Sequence, residues 1–457
     1  MNILTVDFGS TYTKLTAIDV ADAVILGTAS AFTTIDTDII HGFTTALHLL
    51  EDKIGPFRYD RLLCCSSAGG GLKMVALGLV PELTAKAARL AASSAGAKVM
   101  KTYAFEISRD EQEEIRQIDP DIVLLCGGTD GGNKEVILAN AHRLCAIDRA
   151  FTVIVAGNKS ASHEIREIFE AAGRDYVITN NVMPSFNMLD IEPARNSIRD
   201  VFIRKIIDAK GLSRVQQMAS ADVIPTPLAV MAGCELLSKG TAKSPGIGDF
   251  MAIDLGGATT DIYSMSDGKP SATNVLVKGL PEPFSKRTVE GDLGMRYSLT
   301  SLLEELDIQA VADELGVEPA EVTAWIEQCL ANPDVIASSP AEQRLDEAFA
   351  RRAVEVAVGR HCGFMESSYT PLGEIFTLTG KDLSEITYII GIGGAIINSN
   401  HPPNILKGAM YNPREPFVLR PKEPQYLCDR KYIFASMGLL NTLEPELALQ
   451  FMKKEIV

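Results

Sequence analysis

Two aspartate-led turns lie far apart in this chain, each after a short β-branched run: Asp7-Phe8-Gly9-Ser10-Thr11-Tyr12-Thr13-Lys14 and Asp254-Leu255-Gly256-Gly257-Ala258-Thr259-Thr260-Asp261. Each has the pattern of strand, tight glycine turn, strand. Glycine reaches backbone conformations closed to other residues and lets a ligand approach the main chain. Small hydroxyl side chains beside backbone N–H groups make an anion nest. A carboxylate at a strand end can hold Mg2+ through its waters, because Mg2+ keeps much of its hydration. Two such turns facing each other would grip a nucleoside triphosphate from both sides. A third signal, Ile389-Ile390-Gly391-Ile392-Gly393-Gly394-Ala395, comes near the end of the chain.

The candidate residues follow from these patterns. Asp7 and Asp254 would hold hydrated Mg2+ at the phosphates. Gly9, Ser10 and Thr11 on one side, and Gly256, Gly257, Thr259 and Thr260 on the other, would donate to phosphate oxygens. Lys14 either reaches a phosphate or is a solvated strand residue. Asp261 either orients water or closes its turn. Gly391, Gly393, Gly394 and Ala395 would let an adenine or ribose lie where a side chain would block it, although such a run also marks tight packing. Glu290–Arg296 either touches the base side through Gly291 and Arg296 or only starts a helix. The glycine loops 69–71 and 127–133 could bind an anion or a partner segment, or serve as ordinary strand-to-helix turns.

At 457 residues the chain is too long for one core. Its 59 acidic against 43 basic residues give a net charge of −16, which disfavours nucleic acid and anionic membranes as partners. The eight cysteines show no CxxC spacing and several lie in apolar runs, as reduced core residues do. The six histidines are scattered without ligand spacing. No apolar stretch is long enough to span a bilayer, and no signal peptide opens the chain, so the default is a cytoplasmic protein.

Residues 2–34 form a predicted meander of strands Ile3–Val6, Lys14–Asp19 and Val24–Phe32, followed by a helix over Asp36–Leu50 capped by Asp36 or Thr37. From about Tyr59 to Asp190, four apolar strands (Leu62–Cys65, Ile122–Cys126, Val153–Ala156 and Val177–Thr179) lead through turn-rich loops into helices, the pattern of a parallel sheet. Val223–Leu237 is a strand end and then a helix rich in small residues. Strands Phe250–Leu255, Thr260–Ser264 and Ala272–Leu276 make a second meander that echoes the first. Helices occupy most of 300–364, strand Thr387–Ile390 enters the third glycine turn, and a helix over Ile433–Leu440 closes the frame. The expected division is 1–58 and 191–246 for a first lobe, 59–190 for an inserted α/β unit, and 247–457 for a second lobe.

This order resembles the actin, hexokinase and DnaK ATPase superfamily, implying an α/β, two-lobed actin-like ATPase with ribonuclease H-like lobes and an inserted unit. A closer resemblance runs over nearly the whole chain. Asp7–Lys14, Ser66–Gly71, Cys126–Asn133, Asn180–Pro184, Pro225–Gly233, Asp254–Asp261 and Arg287–Arg296, in this order, resemble the MutL/GlmL accessory family of glutamate (methylaspartate) mutase, distinct from the mismatch-repair protein of the same name. The resemblance implies an ATP- and Mg2+-dependent, chaperone-like reactivase. Its partner would be an adenosylcobalamin-dependent mutase or aminomutase whose damaged cobalamin it helps exchange, and homo-oligomers fit the same expectation. No Asp-x-His-x-x-Gly motif points to cobalamin binding by the chain itself.

Three other functions fit the same frame. A small-molecule kinase would need a carboxylate base between the phosphate turns, and no single candidate stands out. An ATP-driven electron donor would need clustered cysteines for an iron–sulfur cluster. A filament-forming scaffold would polymerise with ATP.

Overall fold

In the computed structural model, residues 1–456 are described apart from Ser10, 35–36, 68–72, Gly96, 209–211 and Leu372. The chain divides into two compact units, the first of residues 1–233, 279–281 and 435–447, the second of 234–278, 282–434 and 448–457.

The first unit contains strands β1 (Asn2–Phe8), β2 (Tyr12–Asp19), β3 (Val24–Phe32), β4 (Arg61–Ser66), β5 (Lys73–Gly78), β6 (Lys98–Ala104), β7 (Ile122–Leu125), β8 (Thr152–Val155), β9 (Tyr176–Ile178) and β10 (Ile224–Pro225). They form two sheets, ordered β10-β4-β1-β2-β3 and β6-β5-β7-β8-β9. In the first, β1, β2 and β3 are the expected antiparallel meander, while β4 and β10 add parallel strands on the other side of β1. The second sheet is parallel throughout.

Leu62–Cys65 therefore corrects the sequence reading: it is β4, paired with β1, and not a strand of the added sheet. Its apolar run is buried on both faces, so its sequence does not distinguish one parallel sheet from another. The added sheet instead contains β5 and β6, which the sequence reading did not mark as strands. Met74, Ala76, Ile122 and Leu124 on one face of that sheet share a core with Leu4, Val6, Phe8 and Leu15 of the first sheet. Val75, Leu77, Val123 and Leu125 on the opposite face pack in a core of their own.

The helix after β3 starts later than predicted, at Ile39, because Asp38 is the residue whose carboxylate accepts the Ile40 N–H, at 2.9 Å. Asp36 lies outside the described residues. The helix runs to Ile54 and stops at Gly55, whose φ of +85° lies in the left-handed range. A helix over Thr226–Lys239 follows β10 directly. Within the first unit its Ala229 meets the helix Phe434–Leu440 at Gly438, where a β-carbon would collide with the Ala229 carbonyl. The small residues of this segment thus serve a backbone-to-backbone helix crossing.

The second unit contains β11 (Phe250–Leu255), β12 (Thr260–Met265), β13 (Val275–Lys278), β14 (Ser285–Glu290), β15 (Phe364–Thr370), β16 (Gly373–Thr379), β17 (Tyr388–Ile392) and β18 (Gln425–Cys428). Its main sheet is ordered β14-β12-β11-β17-β18. Pairings β11–β12 and β12–β14 are antiparallel; β11–β17 and β17–β18 are parallel. That is the first unit's order repeated. The third strand of this meander is β14, not Ala272–Leu276, whose end falls in β13 of a separate sheet, β13-β16-β15. Sequence hides β14 because its Lys286 and Arg287 look like surface residues, whereas both are buried against acidic partners: Glu282 at 2.6 Å and Asp261 at 2.5 Å. The helices of 299–361 pack Leu299, Trp325, Phe349 and Val354 onto Met251, Ile253 and Leu255.

The duplicated order is the ribonuclease H-like layout expected from the sequence, here with an α/β sheet added between β4 and β10. Among the described residues no helix is long and apolar enough to cross a membrane.

Candidate functional site: the two aspartate turns

Both turns are closed by the same kind of backbone hydrogen bond. The Gly9 N–H donates to the Tyr12 carbonyl at 3.0 Å, and the Gly256 N–H donates to the Thr259 carbonyl at 2.9 Å. Asp7 and Asp254 occupy the same place before each turn, Lys14 and Asp261 the same place after it, facing them across the strands.

In the first unit Asp7 is 4% exposed. Its Oδ1 accepts the Thr226 hydroxyl at 2.5 Å and the Cys65 thiol at 3.4 Å. Burial, with the Asp7 charge beside it, pushes the Cys65 thiol well up, so the sulfur keeps its proton and donates. Lys14 Nζ stands 3.7 Å from Oδ2. The structure thus places Lys14 beside the carboxylate, partly exposed, and not on a purely solvated face. Gly9 is required by close approach, since a β-carbon there would sit 2.6 Å from the Tyr12 carbonyl oxygen. The Thr11 carbonyl accepts the Thr33 N–H at 2.8 Å, tying the turn to the end of β3. Ser10, and the glycine loop 69–71, lie outside the described residues.

In the second unit a different device holds the turn. Its carbonyls are clamped from behind: Gly256 accepts from Met295 N–H at 3.1 Å, Gly257 from Arg296 and Tyr297 N–H at 2.8 Å each, and Ala258 from the Ser298 hydroxyl at 2.6 Å. The Thr260 hydroxyl donates to the Leu293 carbonyl at 2.6 Å, so it is committed to the protein. Among the described residues the N–H groups of Gly257, Ala258 and Thr259 find no acceptor within the protein. These are the donors a phosphate would take. Asp261 is ion-paired with Arg287 of β14, at 2.5 Å from Nη2 and 2.7 Å from Nε. Arg296 is engaged with Asp346 at 2.7 Å, and Asp346 also accepts from Trp325 Nε1 at 2.9 Å. The 291–298 segment therefore buttresses the turn.

The third glycine signal converges on Asp254. Strand β17 pairs with β11 so that Ile392 lies beside Asp254. Gly393 has φ +86°, and a β-carbon there would sit 2.6 Å from Asp254 Oδ1. Gly394 has open space, its nearest neighbour being Asn398 Nδ2 at 3.8 Å. Gly391 differs: the room left by its missing side chain is filled by Ile396 and Leu406 in the core.

Sequence reasoning missed two neighbours of the Asp7 carboxylate, Thr226 and Cys65, and a buried acid of the second unit, Asp429. Asp429 is fully buried after β18; its N–H donates to the Gly391 carbonyl at 2.9 Å, and its Oδ2 accepts the Phe434 N–H at 3.0 Å. Burial pushes the Cys234 thiol well up, with the charges of Glu235, Asp254 and Asp429 acting in the same direction. A carboxylate immediately after an apolar strand is the one local signal that would have marked Asp429. All eight cysteines are free, and seven are buried.

Each unit ends its central strand in a carboxylate, Asp7 in the first and Asp254 in the second, a ligand type suited to a hard, hydrated cation. The unaccepted N–H groups suit phosphate, and the side-chain-free surface at Gly393 and Gly394 suits close approach by a ligand. The residues present fit Mg2+ and a nucleotide.

Among solved structures, the chain is similar to a glycerol dehydratase reactivase (10% identity, covering 97% of this chain and 99% of that one, TM-score 0.34). It is also similar to a ligand-bound xylulose kinase from Lactobacillus acidophilus (10% identity, covering 100% and 92%, TM-score 0.35). Likenesses this distant carry no functional weight. In sequence, the chain is 45% identical over 456 residues to Protein MutL of Clostridium tetanomorphum, covering 99% of each chain. The family described as MutL protein matches residues 3–456, and the chain belongs to that family.

Proposed function

We propose that the chain is a Mg2+-dependent ATPase that reactivates an adenosylcobalamin-dependent mutase, such as glutamate mutase, by promoting exchange of damaged cobalamin. The observation that carries the ATPase reading is the duplicated turn. Two sheets of one strand order each end their central strand in an aspartate and a tight hairpin. Membership of the MutL family supports a mutase as the partner.

Asp7 and Asp254 would hold the hydrated cation. Bound Mg2+ would neutralise charge building on the phosphates during hydrolysis. Gly9, Ser10 and Thr11, with the N–H groups of Gly257, Ala258 and Thr259, would bind phosphate oxygens. Gly393 and Gly394 would admit the ribose or base. Loss of the γ-phosphate removes ligand contacts from both turns, and a nucleotide-dependent change of this kind is what a reactivating factor needs to grip and release a partner.

The test is ATP hydrolysis by the purified protein with Mg2+, alone and with a cobalamin-inactivated mutase. Hydrolysis stimulated by the mutase, together with return of mutase activity only when ATP and fresh adenosylcobalamin are supplied, is the expected result. ATP-dependent phosphorylation of a sugar or carboxylic acid, with no effect of the mutase, would replace this reading with a kinase.

A further inference from the structure

The helix Thr226–Lys239 begins on the residue that grips Asp7. Thr226 directly follows β10 and is 9% exposed. Its hydroxyl lies 2.5 Å from Asp7 Oδ1, across 219 residues of sequence. An O–H donated to a carboxylate is among the stronger hydrogen bonds a neutral group makes. The second donor to Oδ1, the Cys65 thiol, is 3.4 Å away and intrinsically weak. Thr226 is therefore the main restraint on how this carboxylate is turned. With Oδ1 occupied by the protein, Oδ2, on the Lys14 side, is the oxygen positioned for a ligand.

We propose that Thr226 is a positioning residue that turns the Asp7 carboxylate for Mg2+, so that metal affinity reports the position of this helix. The inference rests on the proposed role of Asp7 in holding Mg2+. The helix carries the chain out of the first unit, since its residues from Cys234 onward belong to the second. Its first residue holds a metal carboxylate, so a shift of the helix start alters the site without passing through any loop.

The experiment compares the full-length protein with Thr226→Val, which keeps the shape and removes the donor, and Thr226→Ser, which keeps the donor. ATP turnover is followed against Mg2+ concentration, ATP binding is measured without Mg2+, and circular dichroism checks the fold. In the valine variant, half-maximal turnover requires about tenfold more Mg2+, the scale of one hydrogen bond to a charged group. Turnover at saturating Mg2+ and metal-free ATP binding stay close to wild type. The serine variant returns the Mg2+ requirement to near the wild-type value.

An unchanged Mg2+ requirement in a folded Thr226→Val protein overturns the inference and leaves the ATPase reading standing. So does equal impairment of the serine and valine variants, because it assigns the effect to packing. If wild-type turnover is itself indifferent to Mg2+, the metal reading of Asp7 fails first and this inference fails with it.

Discussion

The two aspartate turns share a backbone and differ in what stabilises it. In the first, the support acts on the carboxylate: Thr226, Cys65 and Lys14 all contact or face Asp7. In the second, the support acts on the turn itself, through hydrogen bonds to the carbonyls of Gly256, Gly257 and Ala258 from residues 295–298. The charges also differ. A lysine faces Asp7 across the hairpin, whereas Asp261 faces Asp254 and is neutralised by an arginine from the next strand. One hairpin geometry is thus compatible with two charge arrangements, provided each acidic group finds a partner.

The strongest way to break the comparison is to remove its shared element. Asp7→Ala and Asp254→Ala should each lower Mg2+-dependent ATP turnover at least about a hundredfold while retaining native far-UV circular dichroism. Wild-type turnover in either variant would mean that the two turns are alike in shape only.

The second test addresses the charge difference. Asp261→Ala removes the carboxylate paired with Arg287, whose side chain is 4% exposed, and should cost about 3–5 kcal/mol in denaturant unfolding. A loss below about 1 kcal/mol would show that Arg287 finds another partner and that the pair is dispensable.

A third test uses pH, because the second unit buries basic groups beneath its sheet. Burial pushes Lys381 down to about 7; its Nζ donates to the Ser266 and Phe284 carbonyls at 2.7 Å each. An unfolded lysine titrates near 10.4, so between pH ~7 and ~10 the unfolded chain binds a proton that the folded chain does not. Stability from this group therefore rises with pH across that window, by an amount on the order of a few kcal/mol at most. Burial likewise holds His361 well below its usual range, so acidification below pH ~6.5 favours the unfolded chain. Unfolding midpoints at pH 7 and 9 should differ in the wild type and converge in Lys381→Met. An equal slope in both proteins would remove Lys381 from the account.

Smaller effects separate the turns further. Gly9→Ala should cost about 1–3 kcal/mol, because the new β-carbon meets a backbone oxygen at 2.6 Å. Gly256→Ala places its β-carbon 3.4 Å from the Thr259 carbonyl oxygen, an ordinary contact, and should cost under about 0.5 kcal/mol. Equal costs would mean that the turns are packed alike after all. Lys14→Met, at a partly exposed position, should change stability by less than about 1 kcal/mol.

Much of this frame was legible in the sequence, for identifiable reasons. Strands β1 to β3, β11 and β12 announce themselves by β-branched runs broken at glycine, and the aspartates mark where each central strand ends. What remained hidden depended on pairing at a distance. β14 carries charges that only its buried partners explain, and β4 is an apolar run that fits either parallel sheet. Thr226 resembles an ordinary helix start until Asp7 is found against it. Gly391 and Gly393 look equivalent in sequence, yet one packs against Ile396 and the other against the Asp254 carboxylate. Composition does not separate those two roles.

Residues 435–447 belong to the first unit although they come near the end of the chain. The Ser436 hydroxyl lies 3.0 Å from that of Thr16, across 420 residues, and Gly438 closes on Ala229. On the ribosome, the opening strands must therefore wait roughly 20–80 s for the segment that completes their packing, at ordinary elongation rates. Nascent chains of this protein are exposed to misassembly for that whole interval. A premature stop near codon 430 would damage the N-terminal half as surely as the C-terminal one.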